Sequence, residues 1–313
     1  LFHQEVVFPE DVKISDAVAG YDSTCAIDST GTLWCWGSND NYESGTGIYG
    51  DVLSPTKVNI DENESIVQVA IGYDHKCALT QTNQIYCWGQ NNYGQSKFDN
   101  NKYSSISIPT LIDLPAGVVP VSISGKQDHT CILTHEGAVF CWGHNTYGQL
   151  GDGTKSTSWE MTQVMLPKSD PAVMVVTGFY HTCALLLSGE MMCWGNNDVG
   201  QLGTKSKSPT TYSYPTSVID LPVEPIDFDL GYQYTCALLI TQTTLCWGTN
   251  ANGQLGDATT TGIQSNSYEH VEVLSQYNSQ TFSNSVSIEV GYYTSCSIFD
   301  SGRVGCWGVN SNG

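Results

Sequence analysis

Short apolar runs separated by polar, glycine-rich turns divide the chain into six similar stretches. In each stretch an apolar run ends at a glycine, as in residues 67–72 and 173–178. Two further runs follow, then a turn rich in Gly and Asn, then a run flanked by proline, as in residues 108–115. Runs this short, bounded by turn signals, are typical of β-strands. The pattern predicts four strands per stretch and an all-β protein.

Twelve cysteines repeat with the same period as these stretches. They form six pairs, each ten positions apart, and every second cysteine is followed by Trp-Gly. The first cysteines of successive pairs are 52, 54, 52, 53 and 60 residues apart, and a period of this size indicates a repeat architecture. The pairs are Cys25 with Cys35, Cys77 with Cys87, Cys131 with Cys141, Cys183 with Cys193, Cys236 with Cys246, and Cys296 with Cys306.

The spacing within a pair suits a hairpin in which the two cysteines face each other. If Cys25 faces Cys35, a three-residue loop remains, and the third residue of such a loop is usually left-handed. That position is occupied by Gly31, Asn83, Gly137, Gly189, Gln242 and Gly302. Gly and Asn adopt positive φ readily, and Gln242 is the departure. Structural zinc sites favour two to four residues between paired cysteines, whereas nine lie here. We therefore predict six cross-strand disulfides, which belong in an oxidising compartment.

Six four-stranded units of this kind fit a β-propeller, where radial repetition leaves only short sheet edges. The segment from Gly178 to Gly203, with Phe179-Tyr180-His181-Thr182-Cys183 and Cys193-Trp194-Gly195, closely resembles the regulator-of-chromosome-condensation repeat. The resemblance covers all six units and implies a β-propeller of four-stranded blades. We expect the Trp of each Cys-Trp-Gly to pack between blades.

The number of blades is the next question, because members of this family usually have seven and six units are present here. Residues 5–9 align with the proline-flanked strand of the other units, so we expect them to complete the sixth blade. Six blades are the favoured prediction and seven the alternative. We expect residues 1–313 to form a single β-propeller domain that is part of a larger chain.

The charge balance excludes one class of partner. Acidic residues number 31 and basic residues 11, which gives a net charge of −20. Nucleic-acid binding needs clustered Lys and Arg, so we predict no nucleic-acid partner. No apolar run approaches the roughly 18 residues that span a bilayer, so no direct membrane insertion is predicted.

The family resemblance does not carry its founding function to this chain. The founding member is a nuclear exchange factor for a small GTPase, and a reducing nucleus would not keep six disulfides. The sequence is closer in character to secreted members of the family, which include an inhibitor that binds its enzyme with one propeller face.

Catalytic and metal-binding motifs are weak. Residues 45–50 spell a dinucleotide fingerprint, but they follow a hairpin and precede no helix. His75, His129 and His181 share one repeat position, where a structural hydrogen bond is expected. Two acidic groups are expected to be solvated, and they consist of Asp61, Glu62 and Glu64, and of Glu224, Asp227 and Asp229. We predict no catalytic residue, no metal site and no cofactor.

The loops between the first and second strands differ from the rest of the repeat in being aromatic. In a propeller these loops line one face around the central channel, and exposed rings there are typical interface anchors. The alternative is that the rings pack against neighbouring loops. The second-choice site is the insertion at residues 259–285. The predicted partner-binding residues are Tyr21, Tyr73, Phe179, Tyr180, Tyr232, Tyr234, Tyr292 and Tyr293.

Together these features predict a secreted or cell-surface module that is not an enzyme and serves recognition or adhesion. It would bind a protein partner through one propeller face. The alternatives are a lectin-like propeller that binds surface glycans and a secreted enzyme inhibitor.

Overall fold

The structure, a computed structural model, describes residues 5–206, 208–257, 266–274 and 284–309. Within these residues 23 β-strands form six antiparallel sheets, one for each repeat. Five sheets have four strands, and the sixth has three among the described residues. The predicted fold class, an all-β propeller of six blades, is confirmed. No helix in the described part of the chain is long and apolar enough to cross a membrane.

Blades one to three form one compact unit, Phe2–Thr146 with Ser156–Val164. Each blade follows chain order from its first to its fourth strand. The strands are β1 (Ile14–Ala19), β2 (Ser23–Asp28), β3 (Leu33–Gly37), β4 (Val52–Lys57), β5 (Ile66–Ile71), β6 (His75–Thr80), β7 (Ile85–Gln90), β8 (Ser105–Leu111), β9 (Pro120–Lys126), β10 (His129–Thr134), β11 (Val139–Gly143) and β12 (Ser158–Gln163).

Blades four to six belong to the other compact unit, which comprises Leu1, Tyr147–Lys155 and Met165–Gly313. The strands are β13 (Ala172–Thr177), β14 (His181–Leu186), β15 (Met191–Asn196), β16 (Thr211–Ser217), β17 (Pro225–Leu230), β18 (Tyr234–Leu239), β19 (Thr244–Thr249), β20 (Asn266–Glu272), β21 (Ser285–Val290), β22 (Thr294–Phe299) and β23 (Val304–Gly308). The assignment of residues 1–313 to a single domain stays a prediction.

The predicted hairpin register is confirmed in every blade, because the two cysteines of each pair lie directly opposite each other. All six predicted disulfides are formed, with a Cα–Cα distance of 4.1 Å in each. They join Cys25 to Cys35, Cys77 to Cys87, Cys131 to Cys141, Cys183 to Cys193, Cys236 to Cys246, and Cys296 to Cys306.

The turn of each hairpin has the predicted left-handed residue. The third loop residue has positive φ in all six hairpins, including Gln242 at 62°. The hairpin geometry therefore overrides the poor fit of glutamine to this conformation.

The hydrophobic cores lie between successive blades of a unit. Leu185 and Met191 of blade four pack with Phe228 and Leu239 of blade five, and the other interfaces within a unit are similar. Four of the Cys-Trp-Gly tryptophans are fully buried, as predicted: Trp88, Trp142, Trp194 and Trp247. Each donates its indole N–H to a main-chain carbonyl of the preceding turn, as Trp194 does to Gln149 over 2.8 Å. Each tryptophan thus satisfies its polar atom while filling the interface.

Two of the carboxylates expected in solvent are instead part of an interface between blades. Asp227 and Asp229 on β17 are half-buried, and their Oδ2 atoms accept hydrogen bonds from the backbone N–H groups of Ile288 and Val290 on β21, at 3.2 and 2.6 Å. Burial raises the pKa of Asp227. The expectation that these side chains are solvated is wrong, because the exposed edge of the next blade needs acceptors for its N–H groups.

The N-terminal segment packs against blade one. Residues 5–13 form no strand, and Phe8 meets Trp34 and Trp36 edge-on, with ring centroids 6.1 and 5.8 Å apart. The expectation that residues 5–9 complete the sixth blade as its outer strand is therefore wrong, because these residues form no strand and that sheet has three strands among the described residues.

Candidate partner-binding surface

Tight loops between the first two strands of each blade hold the predicted contact residues. In blade five the N–H of Gly231 donates to the carbonyl of Tyr234 over 2.9 Å, which leaves Tyr232 and Gln233 at the tip. Gly178 and Gly291 close the loops of blades four and six in the same way. A side chain at Gly231 would place its Cβ 2.1 Å from the Tyr234 ring. Glycine is needed here because the ring packs directly over its Cα.

Six rings of one compact unit form a continuous group, which we call the aromatic cluster. Tyr232 is its centre: it stacks on Tyr292 at 4.5 Å and meets Phe179, Tyr180 and Tyr293 edge-on at 5.6–5.9 Å. Aromatic pairs of this geometry contribute about 0.5–1.5 kcal/mol each beyond area burial. The members of the cluster are Tyr147, Phe179, Tyr180, Tyr232, Tyr292 and Tyr293.

The cluster combines local packing with an accessible surface. Tyr180, Tyr232, Tyr292 and Tyr293 are half-buried, whereas Phe179 is only 7% exposed. Burial is the largest cause that raises the pKa of Tyr292, and the hydrogen bond with the Tyr293 side chain is the second. Phe179 therefore supports the cluster from below, and the tyrosines present rings that are already held in place before any partner arrives.

Tyr234 does not belong to this surface, contrary to expectation. It is fully buried, and its hydroxyl lies 3.1 Å from the Thr294 carbonyl and 3.0 Å from Ser295 Oγ. Burial raises its pKa. As the first residue of β18 it points between blades, so it cannot touch a partner.

Tyr234 occupies the same repeat position as His75, His129 and His181. Like Tyr234, two of these histidines form buried hydrogen bonds to the next blade. His75 Nε2 lies 2.8 Å from Thr130 Oγ1, and His181 Nε2 lies 2.9 Å from Thr235 Oγ1. The predicted structural hydrogen bonds of His75 and His181 are confirmed. Each links one blade to the next.

Sequence reasoning missed Tyr147. Its ring lies 5.1 Å from that of Tyr180, although it belongs to the Gly/Asn-rich turn after β11 rather than to a tight loop. The repeat contained a signal, because the same Asn-x-Tyr-Gly-Gln turn one unit earlier places Tyr93 4.7 Å from His144. A turn of one blade therefore reaches the loop or turn of the next.

The corresponding loops of blades one to three are smaller in aromatic area and more acidic. Tyr21 is 52% exposed, and its ring lies 4.7 Å from that of half-buried Tyr73. Burial and the neighbouring Glu43 raise the pKa of Asp74 to about 7, and burial raises that of Asp128 to about 6. Tyr21 and Tyr73 form a pair of rings on the loops of this compact unit.

A pocket of about 330 Å³ opens beside the aromatic cluster. It combines two rings of the cluster with the polar side chains of Gln233, Thr249 and Asn252. Its lining is Val199, Tyr232, Gln233, Thr249, Ala251, Asn252 and Tyr293. Ligand pockets in proteins usually measure about 300–1,000 Å³, so this one suits a single long side chain or a small head group.

Two further expectations concern metal binding and the second-choice site. Across the described ranges no three His, Cys, Asp or Glu side chains come together as metal ligands. The second-choice site at residues 259–285 lies outside the described residues, except for 266–274 and 284–285.

Comparison with known proteins shows where this repeat architecture recurs. The family model of the RCC1-like domain matches residues 3–313. The ultraviolet-B receptor UVR8 of Arabidopsis thaliana is 26% identical over 255 residues, 78% of this chain and 55% of UVR8. The probable E3 ubiquitin-protein ligase HERC4 of Homo sapiens is 31% identical over 213 residues, 67% of this chain and 20% of HERC4. This chain thus spans about half the length of UVR8 and about a fifth of HERC4.

A solved structure shares the fold at lower identity. The crystal structure of Prp20p from Saccharomyces cerevisiae superposes with a TM-score of 0.81 at 21% identity, covering 94% of this chain and 72% of Prp20p. The family model, in contrast, matches the sequence itself over almost its whole length. This chain therefore belongs to the RCC1-like domain family, as its repeats indicate.

Proposed function

We propose that this chain is a non-catalytic recognition module that acts outside the cell or at its surface and binds a protein partner through the aromatic cluster. The observation that carries the proposal is the continuous surface of half-buried tyrosines on tight loops. Binding energy concentrates in a few aromatic anchors that are already well packed. Loops with two-residue tips lose little conformational entropy on binding, so more of the contact energy is retained.

Two further observations support this proposal. A relative of the same fold is a protein-interaction module: Prp20p, which is yeast RCC1, is described with its binding to Gsp1p and histones and is seen bound to Kap60. Six disulfides suit an oxidising environment and are rare in the cytosol and nucleus. The partner would therefore be another secreted or surface-exposed protein.

The test uses the purified, disulfide-bonded chain as a probe of an array of secreted proteins and ectodomains, with a glycan array in parallel. The variant replaces Tyr180, Tyr232 and Tyr293 by Ala. We expect a protein partner that binds wild type and loses at least about thirtyfold in affinity with the variant, since a single anchor contributes about 2 kcal/mol or more. Binding to glycans alone would replace this proposal with the lectin function.

A matched control removes three other exposed tyrosines. Tyr49, Tyr103 and Tyr214 are 65, 53 and 56% exposed and lie outside the cluster. Their replacement by Ala should leave the affinity within about twofold, because exposed rings outside a packed cluster are not anchors. Hydroxyl-radical footprinting of the wild-type complex maps the contact without any mutation. Protection elsewhere, with the cluster tyrosines still reactive, would refute the site.

A further inference from the structure

The pocket beside the aromatic cluster has polar groups that local contacts leave unused. Among the described residues the side-chain amides of Gln233 and Asn252 have no hydrogen-bond partner, and both line the pocket with Tyr232 and Tyr293. Backbone bonds hold the pocket walls: Thr249 N donates to Gln233 O at 2.9 Å, and Asn252 N donates to Gln254 Oε1 at 2.8 Å. The pocket is thus preformed, with amide groups available to a ligand.

The electrostatics of the pocket favour a positively charged ligand. The tight loops at 178–181, 231–234 and 291–294 contain no Lys or Arg, and neither do the turns at 196–203 and 250–256. Asp198 is exposed and adjoins Val199 of the pocket wall. The faces of the tyrosine rings are also negative, and the whole chain has a net charge of −20. An anion would meet repulsion here without any compensating basic group.

The described basic residues of the same compact unit lie elsewhere. Lys155 Nζ contacts Thr211 Oγ1 at 2.5 Å, and Lys205 pairs with Asp220 at 2.8 Å. Lys168 follows the blade-three outer strand, and Arg303 belongs to the hairpin loop of blade six. None of these is among the pocket-lining residues. No cation of the described chain therefore occupies the pocket.

We propose that this pocket binds an arginine side chain of the protein partner, with the guanidinium against Tyr232 and Tyr293 and its N–H groups donating to Gln233 and Asn252. The inference rests on the proposed function and names the chemistry of the partner. A planar guanidinium stacks on aromatic rings and is more weakly hydrated than an ammonium, so it enters such a site more readily than lysine. An apolar side chain would leave the amides unsatisfied.

The test uses N-acetyl-arginine-methylamide as the probe and its citrulline counterpart as the neutral isostere. Binding is followed by NMR shifts of tyrosine rings in the folded chain. We expect saturable binding of the arginine probe and at least about tenfold weaker binding of the citrulline probe, because the cation–π attraction is lost. Equal affinities, or no saturable binding of the arginine probe, would overturn the inference.

Three variants locate the binding. Tyr293→Phe keeps the ring and should retain binding within about threefold, whereas Tyr293→Ala should lose at least about fivefold. Tyr214→Ala removes an exposed ring that belongs neither to the cluster nor to the pocket lining and should have no effect. If Tyr293→Ala still binds the arginine probe and the remaining tyrosine rings shift as in wild type, the arginine binds elsewhere and the inference is overturned.

The outcomes separate this inference from the proposed function. A protein partner that needs the cluster, combined with no preference for arginine over citrulline, refutes the pocket chemistry alone. Arginine binding in the pocket without any protein partner refutes the proposed function and leaves the pocket intact.

Discussion

Replacement of the buried pair Glu43 and Lys76 is the sharpest test of how successive blades are joined. Both side chains are almost fully buried, at 2 and 1% exposure. Burial lowers the pKa of Lys76 to about 8, opposed by Glu43 and Asp74. In the next four turns the position of Glu43 is taken by glutamine, and in the next three blades the position of Lys76 is taken by threonine.

The other repeats show which neutral residues take the place of these two charged residues. Thr182 Oγ1 donates to the Gln149 carbonyl at 2.9 Å, and Thr235 Oγ1 donates to the Gln201 carbonyl at 2.8 Å. The neutral pair therefore spans the same interface without desolvating a charge. Glu43 Oε2 accepts the backbone N–H of Asn41 at 2.8 Å, as the amide oxygens of the glutamines do for their own turns. Glutamine can thus replace Glu43 with this bond intact.

We expect each single change to destabilise the fold and the double change to restore it. Lys76→Thr removes the buried cation that interacts electrostatically with Glu43 and Asp74, and removal of one of two interacting buried charges costs about 3–5 kcal/mol. Glu43→Gln leaves the ammonium with Asp74 alone and should cost about 3 kcal/mol. The double variant should lie within about 1 kcal/mol of wild type, because neutral replacements avoid the desolvation of both ions.

The assay is equilibrium unfolding in guanidinium at pH 7 with disulfides intact, followed by tryptophan fluorescence. The double-mutant cycle gives the coupling energy directly. Additive effects, with a coupling energy below about 0.5 kcal/mol, would show that the two charges do not act as a pair.

Three further perturbations test other parts of the structure. Gln242→Gly should raise the free energy of unfolding by up to about 1 kcal/mol in the same assay, because the positive φ at this position is strained for glutamine. An unchanged free energy of unfolding would show that Gln242 is not strained. Tyr234→Phe should cost about 1–2 kcal/mol of stability but leave partner affinity unchanged. An affinity loss in a folded variant would show that Tyr234 contributes to partner binding after all. The raised pKa values of Asp74 and Asp128 contribute stability that is present below pH about 4 and lost as the pH rises through about 6–7. The Tm of wild type should therefore fall between these pH values relative to that of the double variant Asp74→Asn with Asp128→Asn, and parallel curves would exclude this linkage.

Much of the blade could be predicted from local chemistry. The ten-residue cysteine spacing and the glycine at the third loop position define the same hairpin register independently, and β2 and β3 have it. The Cys-Trp-Gly motif also predicted the buried tryptophans, because a large apolar ring at one repeated position needs a repeated interface. These features depend on residues close in sequence, where turn geometry and side-chain alternation decide the outcome.

The candidate site was predicted only in part, because exposure at a loop depends on the neighbouring blades. Tyr232 and Tyr234 are two residues apart, yet one is a surface ring and the other is buried against Ser295. Phe179 lies within the predicted loop but is covered by Tyr232 and Tyr292.

By itself, the sequence determined the number of repeats, the strand register within each hairpin and the disulfide pairing, since each follows from contacts across a few residues. Only the tertiary structure decided which aromatic rings meet. Tyr147 joins Tyr180 across 33 positions of chain, and Asp229 reaches Val290 across 61. Such contacts depend on how one blade packs against the next. A local pattern of residues therefore cannot predict which side chains meet across so many positions of the chain.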